Sequence, residues 1–332
     1  MSAAPVPPHP RVPVWLRPLT RRRGEVQFGV LPGGPVVTGV SEAEADLLAQ
    51  LDGALPLAST DRVAAEAGID LARWRALLQL ATDLGVVTDR VPTTTDSTAA
   101  SSSPTSPDTS PGRVVVDGCG HVASDIAEAL AQAGTTVVHG RAAVDRAVAA
   151  PLRPRPDLVV LVGSPVVDPR RGDLWLRHGI PHLPVAPAGP RTVVGPLVDG
   201  SSGSPCLWCL DPHRADRDAA WPMLMSQAAP TRTLSLAGPP DGLHDALTPG
   251  LAHLVVGSVT LLVTGVLEGH PPPPGVSVEV SLPWPRMDHR RWPTHPLCPA
   301  HPAAVTTPDT GARAGARAGA GGSADAWLRR GA

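Results

Sequence analysis

The sequence contains no lysine, no tyrosine and no asparagine, and all 28 of its basic residues are arginine. Without lysine the chain has no Schiff-base amine, no P-loop ammonium and no flexible point charge for a phosphate. Any anion must be met by arginine forks, histidine or backbone N–H groups. A formal net charge of −2 lacks the one-signed field that attracts nucleic acid or an acidic membrane. Four cysteines in 332 residues are too few for a disulfide scaffold. The N-terminal stretch MSAAPVPPHPRVPVWLRPLTRRR has no apolar core of the signal-peptide kind, so a cytoplasmic, reducing setting is expected. Long hydrophobic runs are equally scarce. The longest, LAHLVVGSVTLLVTGVL at 251–267, includes His253 and falls short of the roughly 20 residues that span a bilayer. It reads as a buried helix, with no membrane partner.

The length suffices for a domain of about 200 residues plus a smaller module. Residues 91–112, VPTTTDSTAASSSPTSPDTSPG, have no large apolar side chain after Val91. Such a stretch cannot bury enough surface to order itself and reads as a disordered linker. The Gly/Ala/Arg-rich tail, 303–332, reads as disordered too, its Trp327 notwithstanding. These segments delimit a module at 12–90 and a larger domain at 113–302.

The module opens with extended pieces at 26–30 and 36–40. Ser41 and Glu44 have the spacing of a capping box ahead of Leu47, Leu48 and Leu51. A short helix at DRVAAEAG ends at Gly68. Asp70 is placed to cap a third helix with Leu71, Trp74, Leu77, Leu78 and Ala81 on one face. Three helices with a strand pair describe a winged helix. Its charge argues against DNA: residues 41–90 carry nine Asp/Glu and four Arg, which repels phosphates. A peptide or small-protein partner fits better, and no nucleic acid is expected.

The larger domain begins RVVVDGCGHVASDIAEALAQAGTTVVHG (113–140). A strand runs into Gly118-x-Gly120-x-x-Ala123 and a helix, which Gly134 ends before the next strand. In this context Gly118 permits a tight turn, Gly120 lets a phosphate approach the backbone, and Ala123 packs helix on strand. Arg141, after the second strand, is placed to meet a phosphate. The same glycines would also serve a Rossmann-like unit that binds nothing. Strands at 157–162, 182–198 and 276–282 complete an α/β reading, with a long helix at 250–268.

Between them lies PCLWCLDPHRADRDAAWP (205–222), and near the C-terminus His295-Pro-Leu-Cys298-Pro-Ala-His301. Cys206, Cys209 and Cys298, with His301 or His295 as fourth donor, are the soft ligands that tetrahedral zinc prefers. A redox C-x-x-C or an incidental pair are the alternatives; a redox pair would start a helix early in a βαβ unit, whereas this one reads as a loop. Cys119 reads as a small buried filler. The Asp/His/Arg run at 211–218 reads as a solvated, mutually paired surface, with Trp221 and Leu224 docking back on the domain.

On G-x-G-x-x-A, PDLVVLV, GPLV…PCLWC and the late cysteine, residues 113–302 resemble the ThiF/MoeB-type adenylyltransferases, which share the fold of ubiquitin-activating enzymes. Within that family the chain is most similar to the actinobacterial ThiF-like branch related to cyclodehydratase partner proteins. The resemblance implies a Rossmann-like domain with a structural zinc on the crossover, ATP with Mg²⁺ at Gly118 and Gly120, and adenylation of a peptide or protein carboxylate. It also implies a leader-peptide clamp in residues 12–90 and a homodimer. The match departs from the family where His139-Gly140 replaces an acidic pair, Ser164-Pro165 replaces an Asp, and the Lys and Asn are missing. Those departures point to a degenerate, peptide- or partner-binding protein; a DNA-binding regulator with a nucleotide-sensing domain is the remaining reading.

Overall fold

The computed structural model describes residues 5–30, 33–89, 112–140, 144, 155–163, 165–201, 203–228 and 247–301. The linker (except Gly112), the tail with Trp327, Arg141 and Ser164 lie outside the described residues.

In the N-terminal part, β1 (Pro10–Arg11) pairs with β5 (Thr88–Asp89), and β2 (Pro18–Arg22), β3 (Glu25–Phe28) and β4 (Val36–Thr38) form an antiparallel sheet in that order. Helices α1 (Glu42–Ala49), α2 (Leu57–Glu66) and α3 (Leu71–Asp83) follow. The capping box of α1 is complete: Glu44 N–H donates to Ser41 Oγ at 3.2 Å, and Ser41 N–H to Glu44 Oε2 at 2.7 Å. Asp70 caps α3 through the Arg73 N–H at 2.9 Å. Helix α2 starts four residues before the sequence suggested, because Pro56 serves as its N-cap and Thr60 lies buried on its inner face. Trp74, Leu77, Leu78 and Ala81 are buried as expected, but Leu71 is exposed at the helix start.

The larger part is built on one seven-stranded sheet. Strands β6 (Arg113–Asp117), β7 (Thr136–His139), β8 (Leu158–Val162) and β9 (His182–Ala188) are parallel, in the order β7-β6-β8-β9. The central β8 is buried throughout, as a strand covered on both faces must be. Antiparallel β10 (Arg191–Val194), β11 (Val276–Ser281) and β12 (Arg286–Arg291) extend it beyond β9. Helices α4 (His121–Gln132) and α8 (Pro249–Leu267) cover one face. Helices α5 (Arg170–Arg177) and α6 (Leu207–Arg217) cover the other. β12 escapes sequence reading because RMDHRR is an exposed edge strand, and charge on an edge discourages further pairing.

Helix α8 is not the fully buried helix its composition suggested. It is long and apolar enough to cross a membrane, yet Leu251, Val255, Val259 and Val263 form a buried stripe in the core while Leu261 is 75% exposed.

The two parts dock through α7 (Trp221–Ala228) and the β9–β10 turn. Leu19 and Val30 pack on Trp221 and Leu224. Asp218 accepts both Arg21 nitrogens, at 2.8 and 2.6 Å. Gln227 reproduces a strand's pairing with its amide: it accepts from Thr20 N–H and donates to Thr20 C=O, both at 2.7 Å. The Trp15 indole lies over Gly189, where an added Cβ would fall 2.1 Å from the ring.

Candidate metal centre

The cysteine pair does not lie in a loop. Cys206 is the N-cap of α6 and Cys209 sits in its first turn, its N–H donating to Cys206 C=O at 3.0 Å. At the other end of the domain, β12 leads to Trp292, whose Nε1–H donates to Ser277 Oγ at 2.8 Å. Two tight turns follow, with Cys298 N–H on His295 C=O at 3.0 Å and His301 N–H on Cys298 C=O at 3.2 Å. They fold the tip of the chain back onto the start of α6.

The result is a cluster of four donors from the two ends. Cys206 Sγ lies 3.9 Å from Cys209 Sγ and 3.5 Å from Cys298 Sγ. His301 Nδ1 lies 3.6, 3.3 and 3.4 Å from the sulfurs of Cys206, Cys209 and Cys298. A tetrahedral ion with Zn–S of about 2.3 Å and Zn–N of about 2.0 Å separates its ligands by roughly 3.5–3.8 Å, so the donor set fits. All three cysteines are buried. Burial first, then the neighbouring Cys209 charge, pushes the Cys206 thiol up to about 12, and burial raises Cys209 as well. Three thiols packed together cannot ionise unaided; a divalent cation supplies the compensating charge and displaces their protons. The cluster can therefore hold a metal ion.

His295, the other candidate for fourth donor, is engaged elsewhere. Its Nδ1 accepts the Leu297 N–H at 3.0 Å, so Nε2 carries the proton and donates to Asp216 at 2.9 Å. Its backbone N–H points at Cys209 Sγ from 3.5 Å, a contact that steadies a thiolate. His213, Asp216 and His295 also lie close enough to suggest a second ion site. That tautomer argues against one, because a neutral imidazole cannot accept at Nδ1 and ligate through Nε2 at once.

The glycine turn is built as the motif implies, for a partly different reason. Gly120, the N-cap of α4, has φ of +91°, which favours glycine. At Gly118 an added Cβ would stand 2.7 Å from Val162 Cβ, so close packing of β6 on β8 alone demands glycine there. Ala123 is buried and Cys119, expected to be buried, is exposed. The crevice between the ends of β6 and β8 is where open α/β sheets bind ligands. Here Arg171, from α5, enters it: it donates to Val162 C=O at 2.7 Å and to Asp117 C=O, and pairs with the Asp117 carboxylate at 3.0 Å. Sequence reasoning missed Arg171 because only the fold carries it to the ends of two strands remote in sequence.

The Asp/His/Arg run is mutually paired and exposed at Asp216 and Arg217, as expected, but the rest of it is half-buried against the domain. Arg214 stacks at 5.0 Å over the Trp221 ring and pairs with Asp211 at 3.1 Å, while Asp218 holds Arg21 of the N-terminal part.

No protein-family model matches the chain, and no curated protein does. Among solved structures it is similar to the heterocyclase TruD at 15% identity and a TM-score of 0.34, over 87% of this chain and 42% of that one. The chain thus spans about two fifths of the heterocyclases it matches. It is similar to the E. coli microcin synthetase McbBCD complex at 15% identity and a TM-score of 0.35, over 87% of this chain and 98% of that one. E. coli MccB, solved with MccA, gives 11% identity and a TM-score of 0.37 over the same two shares. Likeness this distant concerns fold and says nothing about chemistry.

Proposed function

We propose that the chain is a peptide-binding protein on a zinc-stapled scaffold of the ThiF/MoeB type. Its winged-helix-like N-terminal module takes the peptide as an added strand. The observation that carries this reading is the contrast between the two edges of the β2-β3-β4 sheet. Gln227 closes the β2 edge; β4 is the opposite edge and pairs only with β3 among the described residues. Phe28 N–H donates to Pro35 C=O at 2.9 Å, and Gly39 N–H to Gly24 C=O at 2.7 Å. By antiparallel alternation Val37 bonds inward to β3, while the backbone groups of Val36 and Thr38 face outward. An extended peptide pairs with such an edge through its main chain and gains specificity from adjacent side chains. The start of α3 is tied to this edge by Arg73, which donates to Gly39 C=O at 2.6 Å. Exposed Val36 offers apolar contact, and the acidic surplus of residues 41–90 suits a neutral or basic peptide.

Screening immobilised extended peptides of graded charge is expected to yield binders. Thr38→Pro, which deletes an outward N–H and no bond to β3, is expected to weaken them at least about tenfold with little change in melting temperature. A panel without binders, or binding indifferent to this substitution, sinks the reading.

A second reading, adenylation of the peptide's C-terminal carboxylate, is the one the family resemblance implies. It is favoured by the α4 N-terminus at the sheet's switch point, opened by Gly120 and free of a side-chain cap. The Asp117–Arg171 pair in the same crevice and the absence of lysine count against it. ATP–pyrophosphate exchange with a bound peptide separates the two: exchange that disappears in Gly120→Val establishes adenylation, and peptide binding without exchange leaves the binding role alone.

A further inference from the structure

Beside the sulfur cluster, the α6 face of the antiparallel strands gathers more positive charge than its carboxylates neutralise. Arg214 and Arg217 project from α6, Arg191 from β10 and Arg290 from β12. The guanidinium carbons of Arg214, Arg217 and Arg290 stand 5.6, 5.0 and 5.4 Å from the centre of the Trp292 ring. Glu279 is shared between Arg290, at 3.1 Å, and Arg191. Asp211 is taken by Arg214 and Asp216 is bonded to His295. Among the described residues Arg217 has no carboxylate within ion-pair distance, though Glu279 and Asp216 attract it from further off. The neutral His295 leaves Asp216 its charge, so four guanidiniums face three carboxylates.

Three of the four are half-buried, with side-chain exposures of 15% for Arg214, 26% for Arg191 and 35% for Arg290, and Arg217 is exposed at the edge of the group. Burial, followed by repulsion from Arg290, lowers the proton affinity of Arg217, and burial also lowers that of Arg214. Arginine does not shed its proton in proteins, so the imbalance persists as positive potential. Cation–π contact with Trp292 holds Arg214, Arg217 and Arg290 in place without cancelling their charge, and Arg191 is held by Glu279.

We propose that Arg191, Arg214, Arg217 and Arg290 form a binding site for an oxyanion group, a carboxylate or a phosphate, which supplies the missing negative charge. Planar forks fixed by an indole suit the bidentate geometry of either group. The site stands apart from the β4 edge and from the glycine turn, and does not rest on either reading of function.

Calorimetric titration of the zinc-loaded full chain at constant ionic strength tests it. The probes are sodium pyrophosphate, a short peptide with a free C-terminal carboxylate, and the same peptide amidated. Pyrophosphate or the free acid is expected to bind and the amide to fail; whichever anion binds identifies the source. Arg217→Gln removes a group with no ion pair, so it is expected to weaken that binding at least tenfold while zinc content and the unliganded melting temperature hold. Arg290→Gln is expected to do the same to binding, and serves if the first variant proves unstable. Failure of both anions to bind, or binding that survives both substitutions, overturns the proposal.

Discussion

Cys298→Ser is expected to lower the melting temperature by about 10 °C or more and to release the metal. Zinc at a structural site contributes on the order of 10 kcal/mol. Even a third of that, in a domain of this size, corresponds to a shift of about 10 °C. The large effect follows from where the donors come from: Cys206 and Cys209 begin α6, while Cys298 and His301 end the described chain. With the ion gone, Trp292, His295, the His213 bond to Pro293 C=O and the packing around them are left to hold the C-terminal turns on the helix. Zinc uptake by the metal-free protein should also release protons at neutral pH, because the Cys206 thiol is pushed up to about 12 when no cation faces it. Elemental analysis and melting curves of wild type and variant check the first point, and titration in buffers of different ionisation enthalpy checks the second. An unchanged melting curve would remove the metal from any structural role.

The second large effect is acid sensitivity centred on His182. This residue opens β9, is 1% exposed and presents Nδ1 to Ile180 C=O at 3.4 Å. On its other side it packs so closely on Gly172 that an added Cβ there would lie 2.8 Å from Nε2. Burial drives its pKa down to about 4, against partial opposition from Ile180 and Asp173. The unfolded chain takes up this proton near pH 6.5 and the folded chain only near pH 4. The neutral ring therefore leaves stability intact above pH 6.5, and stability is lost as pH falls from 6.5 towards 4. By pH 4.5 the loss reaches about 2–3 kcal/mol. Denaturant midpoints at pH 7 and 4.5 should fall further apart in wild type than in His182→Gln, and an equal separation in both would refute the assignment. Comparing the two separations removes the loss of metal in acid, which both proteins share.

What the sequence disclosed was what lies close in sequence or repeats a known spacing. Ser41 with Glu44, Asp70 before its helix, and the turn from Gly118 to Ala123 are each determined within a few residues, and all appear where read. The sulfur donors were legible because C-x-x-C and C-x-x-H carry chemistry in their spacing, although the fold decides between His301 and His295. Arg171, Arg214, Arg217 and Arg290 look like ordinary surface arginines in the sequence. Their roles depend on β11 and β12 returning beside α6 and on α5 reaching the ends of β6 and β8. The exposed side of α8 was misread for a related reason: a uniformly apolar helix does not state which side its neighbours will cover.

The bare turn at Gly189 leaves room for the Trp15 ring, and its φ of +67° independently excludes most side chains. One seam between the chain's two halves thus hangs on a methyl group's absence. An added side chain at 189 would push the indole out of that seam, while the Arg21–Asp218 pair, the Gln227–Thr20 bonds and the Leu19–Trp221 packing still hold the halves together.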